Sequence, residues 1–212
     1  AADFILGPPE EPQPPPPAGL AVDLAAIAAG VGGFRILGEA QFDRAGISFT
    51  TIHDLNGDGL PEILVSATGN DAAGEDAGAA YVVWGKADGM PVDLAAVSAG
   101  QGGYKIVGEG PFVRTGRNVA VVGDLNGDGL DEALISAVTF RPDGTSLAAA
   151  YVVWGKADGT PVDLREVAVG RGGYRIVSET EEDDSFGIAS IGDMNGDGRS
   201  EILLGHSHFG GA

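Results

Sequence analysis

Residues 54–62 read DLNGDGLPE, residues 124–132 read DLNGDGLDE and residues 193–201 read DMNGDGRSE. The first two segments start 70 residues apart, and the last two start 69 residues apart. A second repeat has the same spacing, because YVVWGKADG at Tyr81–Gly89 returns unchanged at Tyr151–Gly159. Self-similarity at a fixed period indicates a repeat architecture. The 212-residue chain is therefore interpreted as three copies of one unit of about 70 residues.

Each unit contains four short runs that are rich in Val, Ile and aromatic residues and bounded by Gly and Asp, as β-strands are. In the middle unit the runs are Tyr81–Trp84, Tyr104–Val107, Asn118–Val122 and Glu132–Ala137. A short helical turn is predicted at Val92–Ser98, where an Asp occupies a capping position. Four antiparallel strands per unit are typical of a β-propeller blade. The predicted fold is all-β, with three four-stranded antiparallel propeller-type blades.

One of these blades is predicted to be split between the two ends of the chain. The last unit lacks its YVVWG strand, and the first seven residues, AADFILG, resemble AAYVVWG at Ala79–Gly85. We therefore divide the chain into an N-terminal donor strand at residues 1–7, a Pro-rich spacer at residues 8–19 and a repeat domain at residues 20–212.

The spacer, PPEEPQPPPPAG, favours polyproline II, which is semi-rigid. Such a spacer would hold the first strand away from its own subunit, so that the strand adds to a sheet edge of another chain. The expected self-assembly strand comprises Asp3, Phe4, Ile5 and Leu6. A plain surface loop is the alternative interpretation of the spacer. Pairing of this strand with its own subunit would contradict its donation to another chain.

The acidic loops carry oxygen-bearing side chains at their first, third, fifth and ninth positions. Alternate oxygens on a tightly turned loop converge on one point, and hard oxygen ligands suit Ca²⁺. The backbone carbonyl of the seventh residue can add a further ligand. The sequence therefore predicts three Ca²⁺ sites, formed by Asp54, Asn56, Asp58, Leu60 and Glu62; by Asp124, Asn126, Asp128, Leu130 and Glu132; and by Asp193, Asn195, Asp197, Arg199 and Glu201.

Two other interpretations of these loops were weighed. An EF-hand needs Glu at position 12 and flanking helices, whereas Val65, Ile135 and Leu204 stand at that position within strand-like runs. Simple Asn-Gly or Asp-Gly hairpin turns with solvated acids are the other alternative. Conservation of all four oxygen positions in all three copies favours metal sites.

Acidic residues outnumber basic residues by 31 to 12, which gives a net charge of −19. Such a surface repels phosphate groups, so neither nucleic acid nor an anionic membrane is an expected partner. No apolar run reaches the ~18 residues of a membrane helix, so membrane insertion is not expected. The chain contains no Cys and begins Ala-Ala-Asp-Phe without Met, a pattern that fits cleavage by a signal peptidase. The expected location is extracellular or at the cell surface.

No catalytic constellation is visible in the sequence. Of the three histidines, His53 is replaced by Gly123 and Gly192 in the other units, and His206 and His208 lie near the C-terminal end. No Ser-His-Asp arrangement or nucleophile elbow is present. We expect that the protein is not an enzyme.

The repeats resemble the FG-GAP family, known from the integrin α-subunit propeller and from bacterial secreted calcium-binding proteins. The Phe-Gly step of that family is matched by Phe186-Gly187, its calcium loop by the three acidic loops, and its Gly-Ala-x-Tyr-Val strand by Gly78–Gly85 and Ala148–Gly155. The Gly-Ala-Pro step after the loop is poorly kept, since Ser66-Ala67-Thr68 stands there in the first copy. Position nine of the loop is Glu where the family usually has Asp.

The resemblance implies a calcium-binding propeller, but family propellers usually have seven blades and three cannot close a ring. Chains could associate head to tail into a filament, two chains could close a six-bladed ring, or the chain could be a fragment of a longer protein. We expect an extracellular, calcium-stabilised structural protein that self-assembles head to tail by completing the split blade in trans. The alternative is a closed six-bladed dimer that binds a glycan or protein ligand in adhesion.

Overall fold

A computed structural model describes residues 2–4, 23–178 and 186–206 of the chain. In these ranges the strands are β1 (Ala2–Phe4), β2 (Phe34–Leu37), β3 (Ala45–Ile52), β4 (Glu62–Ala67), β5 (Ala79–Val83), β6 (Val92–Asp93), β7 (Gly103–Val107), β8 (Val119–Val122), β9 (Glu132–Phe140), β10 (Ser146–Val153), β11 (Val162–Asp163), β12 (Gly173–Val177), β13 (Phe186–Ser190) and β14 (Ile202–His206). The helices are α1 (Leu24–Ala28), α2 (Leu94–Ser98) and α3 (Leu164–Val167).

The strands form four sheets within the described residues. One sheet has the order β3, β4, β5, β7, with β11 beside β7, and another has the order β8, β9, β10, β12. In each, the four main strands follow one another antiparallel, as in a propeller blade. The other two sheets are β1, β2, β6 and β13, β14. The all-β prediction is confirmed, whereas the number of blades stays a prediction.

The structure places the sheet boundaries differently from the sequence analysis. The runs Tyr81–Trp84 and Tyr104–Val107 belong to the sheet that β3 opens, whereas the runs Asn118–Val122 and Glu132–Ala137 belong to the next sheet. A sequence period fixes the length of a repeated unit but not the point at which each sheet starts, because that point depends on strand pairing. The strand pairs β1–β2 and β13–β14, which come first and last along the chain, belong to two separate sheets.

Three apolar cores lie between successive sheets in the part of the chain that the structure describes. The first packs β2 against β4 and β5, and it contains Phe34 and Tyr81. The second packs the β3–β7 sheet against the β8–β12 sheet, and it contains Tyr104 and Tyr151. The third contains Leu134 and Val152, with residues of β13 and β14 packed against them. Both faces of the two central sheets are thus covered, which explains why β4 and β5 are buried along their whole length.

The Val-Asp-Leu repeats connect these sheets. Asp23, Asp93 and Asp163 each cap a short helix by accepting a hydrogen bond from the N–H two residues later. The helical turn predicted at Val92–Ser98 is thereby confirmed for Leu94–Ser98, whereas Val92–Asp93 form β6. Just before α2 and α3, β6 and β11 pair in parallel with β2 and β7, the outer strands of the preceding sheets. No helix in the described ranges has the length and hydrophobicity needed to cross a bilayer.

The N-terminal strand is where the structure corrects the sequence analysis most. β1 pairs antiparallel with β2 of its own chain, with Asp3 opposite Arg35 and Phe4 opposite Phe34. The expectation that this strand is held away from its own subunit as a lone donor is therefore wrong for residues 2–4. Its alignment is right, because β5 pairs with β7 in the same register. Ile5, Leu6 and the spacer at residues 8–19 lie outside the described residues.

Candidate metal centres

The three acidic loops occupy equivalent places, each joining the first two strands of a sheet. They connect β3 to β4, β8 to β9 and β13 to β14. Glu62 and Glu132, the last side chains of the first two loops, begin β4 and β9 and are fully buried. Gly57 and Gly59 have φ values of +80° and +83°, which Gly adopts readily. These glycines let the loop turn sharply enough for its acidic side chains to converge.

Backbone N–H groups orient the carboxylates of each loop. In the first loop, Asp54 accepts hydrogen bonds from the N–H groups of Gly57 and Gly59 at 2.6 and 3.0 Å. Glu62 accepts one from the N–H of Leu55 at 2.6 Å. The second and third loops repeat these bonds at Asp124, Glu132, Asp193 and Glu201. The first and ninth side chains are therefore held in place by the fold.

Three carboxylates converge in each loop. Within each trio the ligand oxygens all lie within 4.8 Å of one another, and the trios are Asp54, Asp58 and Glu62; Asp124, Asp128 and Glu132; and Asp193, Asp197 and Glu201. Carboxylates this close repel one another unless a cation or protons neutralise them. This arrangement agrees with the sequence prediction for the first, fifth and ninth positions, and it is a set of hard oxygen donors that suits Ca²⁺.

The asparagine side chains and the backbone carbonyls, which are the remaining predicted ligands, do not all point an oxygen at the carboxylates. Asn56 donates its side-chain NH₂ to Asp58 and Glu62, both at 3.1 Å, and its Oδ1 accepts the N–H of Asp58 at 2.8 Å. Asn126 and Asn195 occupy the same position. Ligation through Oδ1 would require the amide to rotate, after which the cation replaces the NH₂ between the carboxylates. Ligation by the carbonyl oxygens of Leu60, Leu130 and Arg199 stays a prediction.

Glu132 provides an independent indication that the second loop fits a cation. Its Oε1 is buried and has no hydrogen-bond partner among the described residues. A buried polar atom without a partner is costly, and a cation at the cluster would satisfy it. Burial and the neighbouring Asp charges raise the pKa of Glu132 to about 7, and the same causes raise the pKa of Glu62 to about 7. By contrast, the N–H groups of Gly129 and Gly127 hold the pKa of Asp124 below its ordinary value.

The sequence analysis missed one structural residue of the loops. Leu55 is fully buried, and its N–H binds Glu62, so it anchors the loop to the core while positioning a candidate ligand. Leu125 and Met194 make the same bond in the other loops. An apolar residue at loop position two in all three copies was the signal that could have revealed this role.

The raised pKa values predict how stability depends on pH without metal. A carboxyl whose pKa is higher in the folded state favours folding when protonated, and this contribution is lost as the pH rises through about 7. In Ca²⁺-free buffer, the double variant Glu62→Gln/Glu132→Gln should therefore melt several degrees above the wild type at about pH 8 and at nearly the same temperature at about pH 5. Thermal melts monitored by circular dichroism measure both differences. A gap that widens on acidification would contradict the assignment.

Comparison with known proteins agrees with this geometry. Residues 45–83, which span β3, the first acidic loop, β4 and β5, match the model of the FG-GAP repeat. The chain is 26% identical over 155 residues to integrin alpha-4 of Xenopus laevis, an alignment that covers 72% of this chain. The chain spans about 13% of the length of that relative. The resemblance found in the sequence is thus confirmed, and it is carried by residues 45–83, which are similar to an FG-GAP repeat.

Proposed function

We propose that this protein is an extracellular, non-catalytic structural module that Ca²⁺ stabilises and that assembles head to tail with copies of itself. The FG-GAP match and the integrin similarity suggest an extracellular adhesion-type β-propeller module. The three carboxylate clusters support the calcium part of the proposal. Because each acidic loop connects the first two strands of a sheet, a bound cation would stabilise that strand pair.

The exposure of strand β14 is the observation that supports the proposed self-assembly. Leu203 in β14 is 54% exposed, whereas its counterparts Leu64 and Leu134 in β4 and β9 are fully buried. In the central sheets the following sheet covers this position, since Leu64 and Leu134 belong to the cores that each sheet shares with the next. Among the described residues, β14 pairs with β13 alone. Its open edge is the one that a third strand would fill.

The N-terminal sheet contains the third and fourth strands that the β13–β14 sheet lacks among the described residues. β1 and β2 pair in the register of β5 and β7, the third and fourth strands of a complete sheet. A second copy could therefore complete β13–β14 with its own β1–β2 pair, which replaces the lone donor strand expected from the sequence. Transfer of the β4–β5 register places Phe4 opposite Leu203. Repetition of this contact builds an open filament, or closes after two copies into a six-bladed ring.

The closed ring is the second candidate, and the similarity to integrin alpha-4 favours it as an adhesion module for a glycan or protein ligand. Sedimentation velocity and negative-stain microscopy distinguish the two, because filaments grow with concentration whereas a ring stops at the dimer. We expect filaments in Ca²⁺ and shorter or no assemblies after chelation.

A substitution at the open edge tests the contact. Leu203→Lys should abolish assembly, because the charge would be buried in the core between β14 and the sheets of the second copy. Met90→Lys is the matched control, since Met90 and its counterpart Thr160 are both exposed. A wild-type chain that sediments as a monomer at every concentration would contradict self-assembly, whatever its affinity for Ca²⁺.

A further inference from the structure

Neighbouring sheets are joined in the same way at two places, which we call the joints. At each joint, the segment between the third and fourth strands of one sheet lies along the outer strand of the preceding sheet, as β6 lies along β2 and β11 along β7. The next residue, Leu94 or Leu164, is fully buried. Leu94 belongs to the core that contains Phe34, and Leu164 belongs to the core that contains Tyr104 and Ile106.

A close backbone approach accompanies both joints. A Cβ added to Gly30 would lie 2.9 Å from the carbonyl oxygen of Gly89. A Cβ added to Gly100 would lie 2.8 Å from the carbonyl oxygen of Gly159. The same two positions of the repeat therefore meet at both joints, and neither contact leaves room for a side chain.

The first Val-Asp-Leu segment has the same local structure as the other two, but no sheet among the described residues covers its Leu. Asp23 caps α1 as Asp93 and Asp163 cap α2 and α3. Leu24 nevertheless is 52% exposed, although Leu94 and Leu164 at the same repeat position are fully buried. One half of a joint is therefore formed here, and no described residue covers it.

The other half of a joint lies on β12. Tyr174 is 37% exposed, whereas Tyr104, its counterpart in β7, is fully buried. Gly170 corresponds to Gly30 and Gly100 and shares their positive φ, at +86°, yet no atom of the described residues lies within 4 Å of a Cβ built there. The outer face of β12 therefore matches the outer face of β7 in residue type and differs from it in lacking a cover.

We propose that these two half-joints meet between two copies of the chain, so that Leu24 of one copy packs on Tyr174 and Ile176 of the next while Gly170 lies at the close backbone approach. The proposal rests on the head-to-tail assembly proposed above and adds a second, separate contact to it. Within one chain the halves are kept apart, because the β3–β7 sheet and two cores lie between α1 and β12.

The same arrangement satisfies both contacts. A copy whose β1–β2 pair completes β13–β14 forms the sheet that follows β12. Its segment between the third and fourth strands then carries α1 to the outer face of β12, as the corresponding segments carry α2 to β2 and α3 to β7. The sequence supports this placement, since Gly19 stands three residues before Val22 as Gly89 and Gly159 stand before Val92 and Val162.

Paired substitutions test the joint in the full chain. Gly170→Asn places a side chain in the close approach, and Gly172→Asn is its control, because Gly172 also has positive φ and no atom lies near a Cβ there or at its counterpart Gly102. Asn tolerates positive φ better than most residues, so both variants should fold. Leu24→Ser removes the apolar contact, and Val31→Ser is its control, since Val31 and its counterparts Gln101 and Arg171 are exposed.

Sedimentation equilibrium in Ca²⁺ measures the effect on association. We expect Leu24→Ser and Gly170→Asn each to weaken association by roughly tenfold or more, and the two controls to associate like the wild type. If the wild type assembles and both test variants assemble equally well, the joint is wrong while blade completion stands. If the wild type is a monomer at all concentrations, both the joint and the proposed assembly are wrong.

Discussion

Removal of Ca²⁺ should lower the melting temperature of this protein by about 5–10 °C per occupied site. A ligand at 100 times its dissociation constant stabilises the folded state by about 2.7 kcal/mol, and a domain of this size gains ~2–4 °C for each kcal/mol. The physical reason is the crowding of three carboxylates within 4.8 Å in each loop, which the cation neutralises only in the folded chain. Thermal melts with millimolar Ca²⁺ and with excess EGTA measure the difference.

A single neutral substitution makes this expectation specific. Glu132→Gln keeps an oxygen to accept the N–H of Leu125 but removes one of the three carboxylates of the second cluster. Calorimetric titration should then show two Ca²⁺ ions bound in place of three. Asp143→Asn is the control, because Asp143 lies in a solvent-exposed turn with Thr145 and belongs to no cluster. Unchanged melting temperatures in Ca²⁺ and EGTA would rule out structural calcium sites.

Truncation of Leu164 to Ala should destabilise the folded chain by about 2–5 kcal/mol, the range measured for large-to-small changes in well-packed cores. Leu164 is fully buried in the core between the two central sheets, beside Tyr104 and Ile106. Truncation leaves a cavity, and the β-sheets on both sides cannot easily shift to fill it. Urea unfolding, followed by tryptophan fluorescence, gives the change in the free energy of unfolding.

Leu24→Ala is the matched comparison, since Leu24 holds the same position in the repeat and is capped by an equivalent Asp. At concentrations where the chain is monomeric, it should change the free energy of unfolding by no more than about 0.5 kcal/mol. Equal losses for Leu24→Ala and Leu164→Ala would show that the Leu24 side chain is packed in the monomer, which its exposure contradicts.

Much of the candidate metal site could be predicted from the sequence, because its geometry is local. Asp54, Asp58 and Glu62 lie within nine residues of one another, and two glycines between them dictate a sharp turn. Chain geometry alone then brings the oxygens together. The amide direction of Asn56 and the orphaned Oε1 of Glu132 could not be predicted, since both depend on which groups occupy the space around the loop.

The strands and their pairing register were also within reach. The likeness of Ala1–Gly7 to Ala79–Gly85 identified the position of β1 in the repeat, and β1 pairs with β2 in the register in which its counterpart β5 pairs with β7. The pairing of β1 with β2 of its own chain was not predicted, although a partner in the same chain has the advantage of being covalently attached.

By itself, then, the amino-acid order determined the repeats, the strands, the capped turns and the acidic loops, all of which depend on residues close together along the chain. Only the tertiary structure decided which of the three repeats are covered by a neighbouring sheet and which are exposed. Leu24, Leu94 and Leu164 follow the same dipeptide, yet two are buried and one faces solvent. Burial is set by the sheet that lies next to a side chain, and identical local sequences acquire different neighbours according to their place in the stack of sheets.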